Sequence, residues 1–472
     1  MQGWAESELK HVQLGDQRLN RRLVRLVEEL AGQPAESVPQ ACGTWAATKG
    51  AYRFWDCARV TPEDIRLGHQ QSTLERLERE GCVLVVQDTT NLDFTQRRKV
   101  SGLGVLDHPK QQGIKVHSAL TVSAQRVPLG LIHQEVWSRD PEQRGKKQQR
   151  HRLETREKES QKWLNALEAT EAQLPQGLKV VTIGDRESDI YDLMAAPRRV
   201  GSELLLRVGH NRRVDHPAQY LWSALAQSPK LGELNLAVGG RPNQSPRQAT
   251  LAVKHESLNL QPPAGRRQRS QLPPVPAHLI LAQEENPPPG VKAICWLLLS
   301  TWPVHRFQEA RQCLQWYSYR WLIERYHYVL KSGCGLEKLQ LERAERIQRA
   351  LATYCIVAWR LLWLTYEARK NPNRPCTAVF EAGEWQSLYC TLHQGKDPPE
   401  EPPSLGQAVG WVARLGGFLG RRHDGDPGVK TIWRGLRRLH DIASTWDLLH
   451  SNSLPSASSG LMGNDKLSQR GI

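Results

Sequence analysis

At 472 residues, with 64 Lys and Arg against 49 Asp and Glu, the chain has a formal charge of +15 and length for about two to four domains. A field of that sign favours an extended polyanion, nucleic acid ahead of membrane, because no lipidation signal, basic amphipathic anchor or run of about 18 apolar residues is present. The opening MQGWAESELK lacks the apolar stretch of a signal peptide, so a cytoplasmic protein is expected. Nine scattered cysteines, with no C-x-x-C pair and no Cys/His cluster at zinc spacing, read as reduced thiols. Sixteen tryptophans exceed what a core of this size needs, so a few are candidates for stacking on bases.

From Trp4 to about Cys57 the pattern is helical, with Leu19, Leu23, Leu26, Val27 and Leu30 at helix spacing between a candidate N-cap, Asp16, and a candidate stop, Gly32. Arg18, Arg21, Arg22 and Arg25, followed by Lys49 and Arg53 in TKGAYRFW, suit phosphate contact; an ordinary solvated helix gives the same pattern. A further helix over about 61–79 leads into Cys82–Val86, a buried strand with Asp88 placed at its end. There a carboxylate on a rigid element can hold a hard cation, although a turn aspartate has the same appearance. VHSALTVSAQ and VPLGLIHQEVW read as two antiparallel neighbours joined at Gln125–Arg126, and a basic run from Arg144 precedes a helix through Trp163 and Leu167.

Lys179–Ile183 is the next buried strand, and Asp185 follows at its end, with Glu187 and Asp189 taken as helix-start charges. A strand carrying Arg207 comes next, then about 210–292, a β-rich insertion with the basic loop PPAGRRQRSQLPP. A last apolar strand contains Trp296. WYSYRWLIERYHYVLKSG, Trp316 to Gly333, reads as one helix: Tyr319, Leu322, Ile323, Tyr326, Val329 and Leu330 face a core. Tyr317, Arg320, Glu324 and Lys331 fall within about 60° of one another on the opposite face. A further apolar helix, a break at Asn371–Pro375, the linker KDPPEEPPS and a tail rich in Ser and Gly complete the chain.

Asp88, Asp185 and Glu324 on a β-β-β-α-β-α-β order resemble the acidic triad of the DDE transposases, and Tyr317, Arg320, Glu324 and Lys331 fit Y-x2-R-x3-E-x6-K, the signature of the bacterial insertion-sequence-four family. WAESELKHVQLGDQRLNRRLV, GAYRF, QDTT, GDRESDI, KESQKW, NPPPG with WLLLS, and ARLGGF extend the resemblance, which is close to the Tn-five type. It implies an α/β fold: a ribonuclease H-like catalytic core, a mixed sheet flanked by helices, with the β-rich insertion and helical domains at both ends. The implied domains are DNA-end binding over 1–66, catalysis over 67–368, dimerisation over 369–450, and a disordered tail over 451–472.

By the same resemblance, Asp88, Asp185 and Glu324 hold two Mg2+ ions, with Mn2+ able to substitute, for cut-and-paste transposition through a DNA hairpin. Tyr317, Arg320 and Lys331 would hold phosphates, Trp296 would stack a flipped base, Arg207 would touch the backbone, and Arg22 and Arg53 would bind the terminal inverted repeat. The partners are transposon-end DNA, target DNA and a second copy of the chain, with no membrane and a nucleoid association when DNA is bound. Another ribonuclease H-like nuclease, or a catalytically inactive DNA-binding inhibitor, would keep the fold and change the task.

Overall fold

A computed structural model of the chain describes residues 3–97, 100–140, 154–239, 245–266 and 269–451. The start of the basic run after Arg144, part of the basic loop near Arg266, and the tail from 452 lie outside the described residues. The chain starts with α1 (Trp4–Glu8), α2 (Gln17–Gly32), α3 (Val38–Cys42), α4 (Trp45–Asp56) and α5 (Pro62–Leu77). Asp16 caps α2 as expected, its carboxylate accepting from the Arg18 N–H at 2.8 Å, and Leu23, Leu26, Val27 and Leu30 turn into the core. A Thr61–Asp64 capping box with Pro62 in the first turn starts α5.

Next come β1 (Cys82–Asp93), β2 (Gly104–Val105), β3 (Gln112–Ser123), β4 (Pro128–Trp137), α6 (Gln161–Glu171), β5 (Lys179–Gly184), α7 (Tyr191–Ala195) and β6 (Ser202–Arg207). The region expected as a β-rich insertion supplies α8 (Leu221–Gln227), β7 (Lys230–Val238), β8 (Arg247–Leu260) and β9 (Val275–Glu284), and is followed by β10 (Cys295–Ser300). Among the described residues the strands make one mixed sheet in the order β2-β3-β1-β5-β6-β10-β9-β8-β7, with β4 on the outer side of β3. β1, β5 and β6 run parallel, and their other partners are antiparallel. The insertion therefore extends the central sheet through β9 and β10.

β1 is longer than its apolar run. It leaves β5 after Val86 but stays paired with β3 as far as Asp93, so Asp88 lies within a strand, where the sequence placed it at a strand end. The reason is pairing: the β3 ladder satisfies the backbone of the polar half of β1, which local hydropathy cannot register. Side-chain alternation sets the faces. Leu84 and Val86 on β1, Val181 and Ile183 on β5, and Leu205 on β6 share one core with the helix that carries Glu324, whereas Val83, Val85 and Val180 enter a separate cluster on the other face.

The stretch expected as one helix is divided into α9 (Phe307–Ser318), α10 (Trp321–Tyr328) and a π-helical turn, Val329–Gly333. Tighter i to i+3 bonds, from the Tyr319 and Arg320 N–H groups to the Trp316 and Tyr317 carbonyls, separate α9 from α10. The predicted core face survives the break, with Leu322, Ile323, Tyr326, Val329 and Leu330 buried. Tyr317, assigned to the polar face, is also buried, because the break gives α9 its own packing against Trp296.

α11 (Ala344–Lys370) runs through the middle of the molecule and is buried along most of its length. The Trp55 indole on α4 donates to the Thr353 hydroxyl at 3.2 Å, and the Trp359 indole donates to the Pro128 carbonyl at 3.1 Å, so α11 ties the N-terminal helices to the sheet. After the expected break come α12 (Ala382–Leu392), α13 (Leu405–Leu415) and α14 (Val429–Ser451), which share their own apolar cluster. α14 also reaches the segment just after α2: Arg437 pairs with Glu36 at 2.5 Å, and the Gln33 amide donates to Asp441 at 2.7 Å. No helix among the described residues is long and apolar enough to cross a membrane.

Candidate active site

Asp88 and Asp185 each lie two residues beyond the paired positions Val86 and Ile183 on adjacent parallel strands. Period-two alternation turns both side chains to the face covered by α10. The row continues onto β6, because Ile183 is level with Leu205 and Arg207 is two residues farther on. It reaches β10, where Leu298 is level with Arg207 and Trp296 follows on the same face. Four neighbouring strands thus carry Asp88, Asp185, Arg207 and Trp296 toward one end of the sheet.

Helix α10 closes this row from above. Arg320, just before its first turn, lies 2.5 Å from Glu324 and 3.7 Å from Asp88, so one guanidinium bridges the helix carboxylate to the strand carboxylate. Burial raises Asp88 to about 7; the Thr89 N–H opposes this, Asp185 and Glu324 add repulsion, and Arg320 partly offsets them. Asp185 is also raised, first by burial and then by Glu187, while the Glu187 N–H, Arg320 and Lys162 act in the opposite direction. Burial works against the Arg320 charge, but Glu324, Tyr317 and Asp88 outweigh it and hold its pKa above the ordinary value.

Among the described residues no three Asp, Glu, His or Cys side chains are gathered as a ready-made metal cage. The donor chemistry nonetheless suits a hard cation: oxygen donors at a site where burial, and after it neighbouring negative charge, raises the proton affinity of both aspartates. An open cleft of about 360 Å³ lies beside them, lined by Asp88, Thr89, Thr90, Glu324, Tyr328 and Lys331.

The other expected site residues fall into two groups. The Tyr317 ring meets Trp296 edge-on at 5.7 Å, and the Arg207 guanidinium lies close enough to oppose the rise that burial gives the Tyr317 pKa, so three of the proposed DNA contacts form one unit beside the row of acids. Arg207 also donates to the Cys295 carbonyl at 3.0 Å, and Trp296 is half-buried. Lys331, in the π-helical turn, donates to the Asn91 carbonyl at 2.9 Å and lies 3.3 Å from Glu337, which ties the end of the helix to β1. Arg22 and Arg53 are elsewhere, on α2 and α4. The Arg22 guanidinium is held so close to Gly50 that a Cβ there would come within 2.7 Å, and Arg53, one turn beyond Gly50, is exposed.

Several residues that shape the site carried no sequence signal. His117, beneath Asp88 on β3, is within hydrogen-bond reach of the Thr89 hydroxyl at 2.9 Å, and burial keeps the ring neutral by pushing its pKa well down. Asp189, expected as a helix-start charge, is instead buried. It accepts from the Gly209 and His210 N–H groups at 2.7 and 2.8 Å and pairs with Arg212 at 2.7 Å, fixing the loop that leaves β6. Only the fold brings these partners, about 20 residues apart, to one carboxylate.

A family model described as transposase DNA-binding matches residues 1–60, and one described as Tn5 transposase dimerisation domain matches residues 356–447. At both ends, therefore, the chain is similar to domains of Tn5-type transposases. The DNA-binding match covers α1 through α4, including Arg22 and Arg53, and the dimerisation match runs from within α11 through most of α14. The row of acids lies on the sheet between the match to a DNA-binding domain and the match to a dimerisation domain.

Proposed function

We propose that this chain is a transposase that performs cut-and-paste DNA transposition with Asp88, Asp185 and Glu324 as its catalytic acids, on a ribonuclease H-like core. The observation that carries the proposal is the pair of parallel strands holding Asp88 and Asp185 side by side, with Glu324 joined to Asp88 through Arg320. The order β4-β3-β1-β5-β6, antiparallel then parallel, supports the core assignment. The domains follow from it: end binding over 1–66, catalysis over 67–368 with the insertion at about 210–292, and dimerisation over 369–450.

The three carboxylates would hold two Mg2+ ions, or Mn2+ in their place, which supply charge stabilisation for nucleophile and leaving oxygen in phosphoryl transfer. The chain's own groups do the positioning. Arg320 and Lys331 present cations to the phosphates beside the acids, and the Tyr317 hydroxyl, with the Arg207 charge near it, offers a further contact. Trp296, half-buried and edge-on to Tyr317, is placed to receive a base turned out of the duplex. In DNA terms, water cleaves one strand at the transposon end and the freed 3′-hydroxyl attacks the opposite strand to give a hairpin. Water opens the hairpin, and the 3′-hydroxyl then joins target DNA. Each step exchanges one phosphodiester oxygen for another.

Incubating the protein with Mg2+, labelled duplex bearing the flanking inverted repeat, and target plasmid tests this. Hairpin and joined products should form, and Asp88→Ala, Asp185→Ala or Glu324→Ala should each lower their rate at least about a thousandfold while end binding persists. Trp296→Ala should depress hairpin formation more than the first nick. Full cleavage by any of the three Ala variants would remove that residue from the catalytic set.

A further inference from the structure

Far along the sheet from the acids, β8 and β9 bring together side chains that the transposition chemistry does not use. Ser257 on β8 is directly opposite His278 on β9, and His255, two residues before Ser257, shares their face. The His255 Nε2 and His278 Nδ1 atoms are 3.4 Å apart, with the Ser257 hydroxyl 3.0 Å from His278 and 3.4 Å from His255. A third imidazole, His305, comes from the segment between β10 and α9, its ring perpendicular to that of His278 at 5.5 Å between centroids. His255 and His278 are half-buried and His305 is exposed, so the cluster opens to solvent.

We propose that His255 and His278, joined by His305 through rotation of its exposed ring, form a binding site for a borderline divalent cation such as Zn2+. Two nitrogens bound to one tetrahedral Zn2+ at about 2.0–2.1 Å are about 3.3–3.4 Å apart, the spacing these two already have. The Val304 backbone lies near the His278 ring and favours a proton on it, the kind of outer contact that can hold a ligating histidine's tautomer. Burial keeps both rings in the neutral, ligating form, His305 disfavours a proton on each, and His255 disfavours one on His278. Glu309 is close enough to act electrostatically on both rings, and its carboxylate accepts the His305 backbone N–H at 2.6 Å.

Ligand type separates this site from the acids, because Mg2+ prefers oxygen and Zn2+ prefers imidazole. A bound ion would lock β8 and β9 to the segment that leads into α9. That helix carries Tyr317, so the insertion would be braced against the catalytic end of the sheet.

Co2+, a spectroscopic substitute for Zn2+, can be titrated into the full chain in excess Mg2+ and followed by its visible d–d absorption. One Co2+ per chain should bind, with no near-ultraviolet thiolate band, and Zn2+ should displace it. His255→Gln, His278→Gln and His305→Gln should each weaken binding at least about tenfold, while Asp88→Asn leaves it unchanged. His305→Gln changes an exposed ring and so guards against a folding defect in the other two. Absence of stoichiometric binding, a thiolate band, or undiminished affinity in the His255→Gln, His278→Gln double variant would overturn the proposal.

Discussion

Asp88 sets the pH behaviour of the metal-free protein. Its pKa, raised to about 7 chiefly by burial, lies far above the ordinary carboxylate value near 4. Between about pH 4 and 7 the folded chain keeps a proton here that the unfolded chain has lost, so this group's contribution to stability falls as pH rises. His117, His133 and His327, all lowered by burial, act with the opposite sign, because the unfolded chain gains their protons below about 6.5. A difference measurement isolates the aspartate. The melting temperature of Asp88→Asn relative to wild type should increase from pH 5 to pH 8 in chelator, and added Mg2+ should narrow the gap by stabilising only the wild type. A gap independent of pH would mean that the carboxyl is already ionised at pH 5.

The C-terminal helices depend on an approach only glycine permits. A Cβ on Gly435 in α14 would be 1.8 Å from the Val412 carbonyl oxygen of α13, and one on Gly416 would be 1.7 Å from the Thr431 carbonyl oxygen. Both obstacles are backbone, so no side-chain rotation relieves them. Gly435→Ala should therefore part α13 from α14, cost about 2 kcal/mol or more, and weaken self-association through the dimerisation domain. Denaturant unfolding and sedimentation velocity measure the two effects; a variant as stable and as associated as wild type would contradict the close packing. Elsewhere α10 shows how an element boundary serves the site: the break before Trp321 leaves Arg320 at the helix start, where it reaches both Glu324 and Asp88.

Across the whole molecule, the charge of +15 is matched by a DNA-binding match at the N-terminus. Trp45, Lys49 and Arg53 recur every four residues on α4 and are all exposed, which makes a single aromatic and basic stripe. If that stripe lies on the DNA backbone, Arg53→Ala should lower the slope of log affinity against log salt by about one. A fluorescence anisotropy series from low to moderate salt reads that slope, and an unchanged value would place Arg53 off the phosphates. α14 lies against the segment that follows α2 through Arg437–Glu36 and Gln33–Asp441, so the regions matched as DNA-binding and dimerisation touch within one chain.

The chain by itself determined whatever depends on near neighbours. Short, nearly continuous apolar runs marked Cys82–Val86 and Lys179–Ile183 as buried strands, the Asp16 and Thr61 caps started their helices, and the buried stripe from Leu322 to Leu330 was legible because it repeats at helix spacing. Spacing likewise singled out Tyr317, Arg320, Glu324 and Lys331. Only the tertiary structure decided what depends on partners distant in sequence. β3 carried β1 past Asp88, Trp296 and Arg207 drew Tyr317 inward, and the π-helical turn tied Lys331 to the Asn91 carbonyl. His255, His278 and His305 lie in three separate segments, so no spacing could join them. Local periodicity records which face a residue prefers, whereas strand register and helix breaks are settled by the hydrogen bonds and packing that the assembled chain must satisfy.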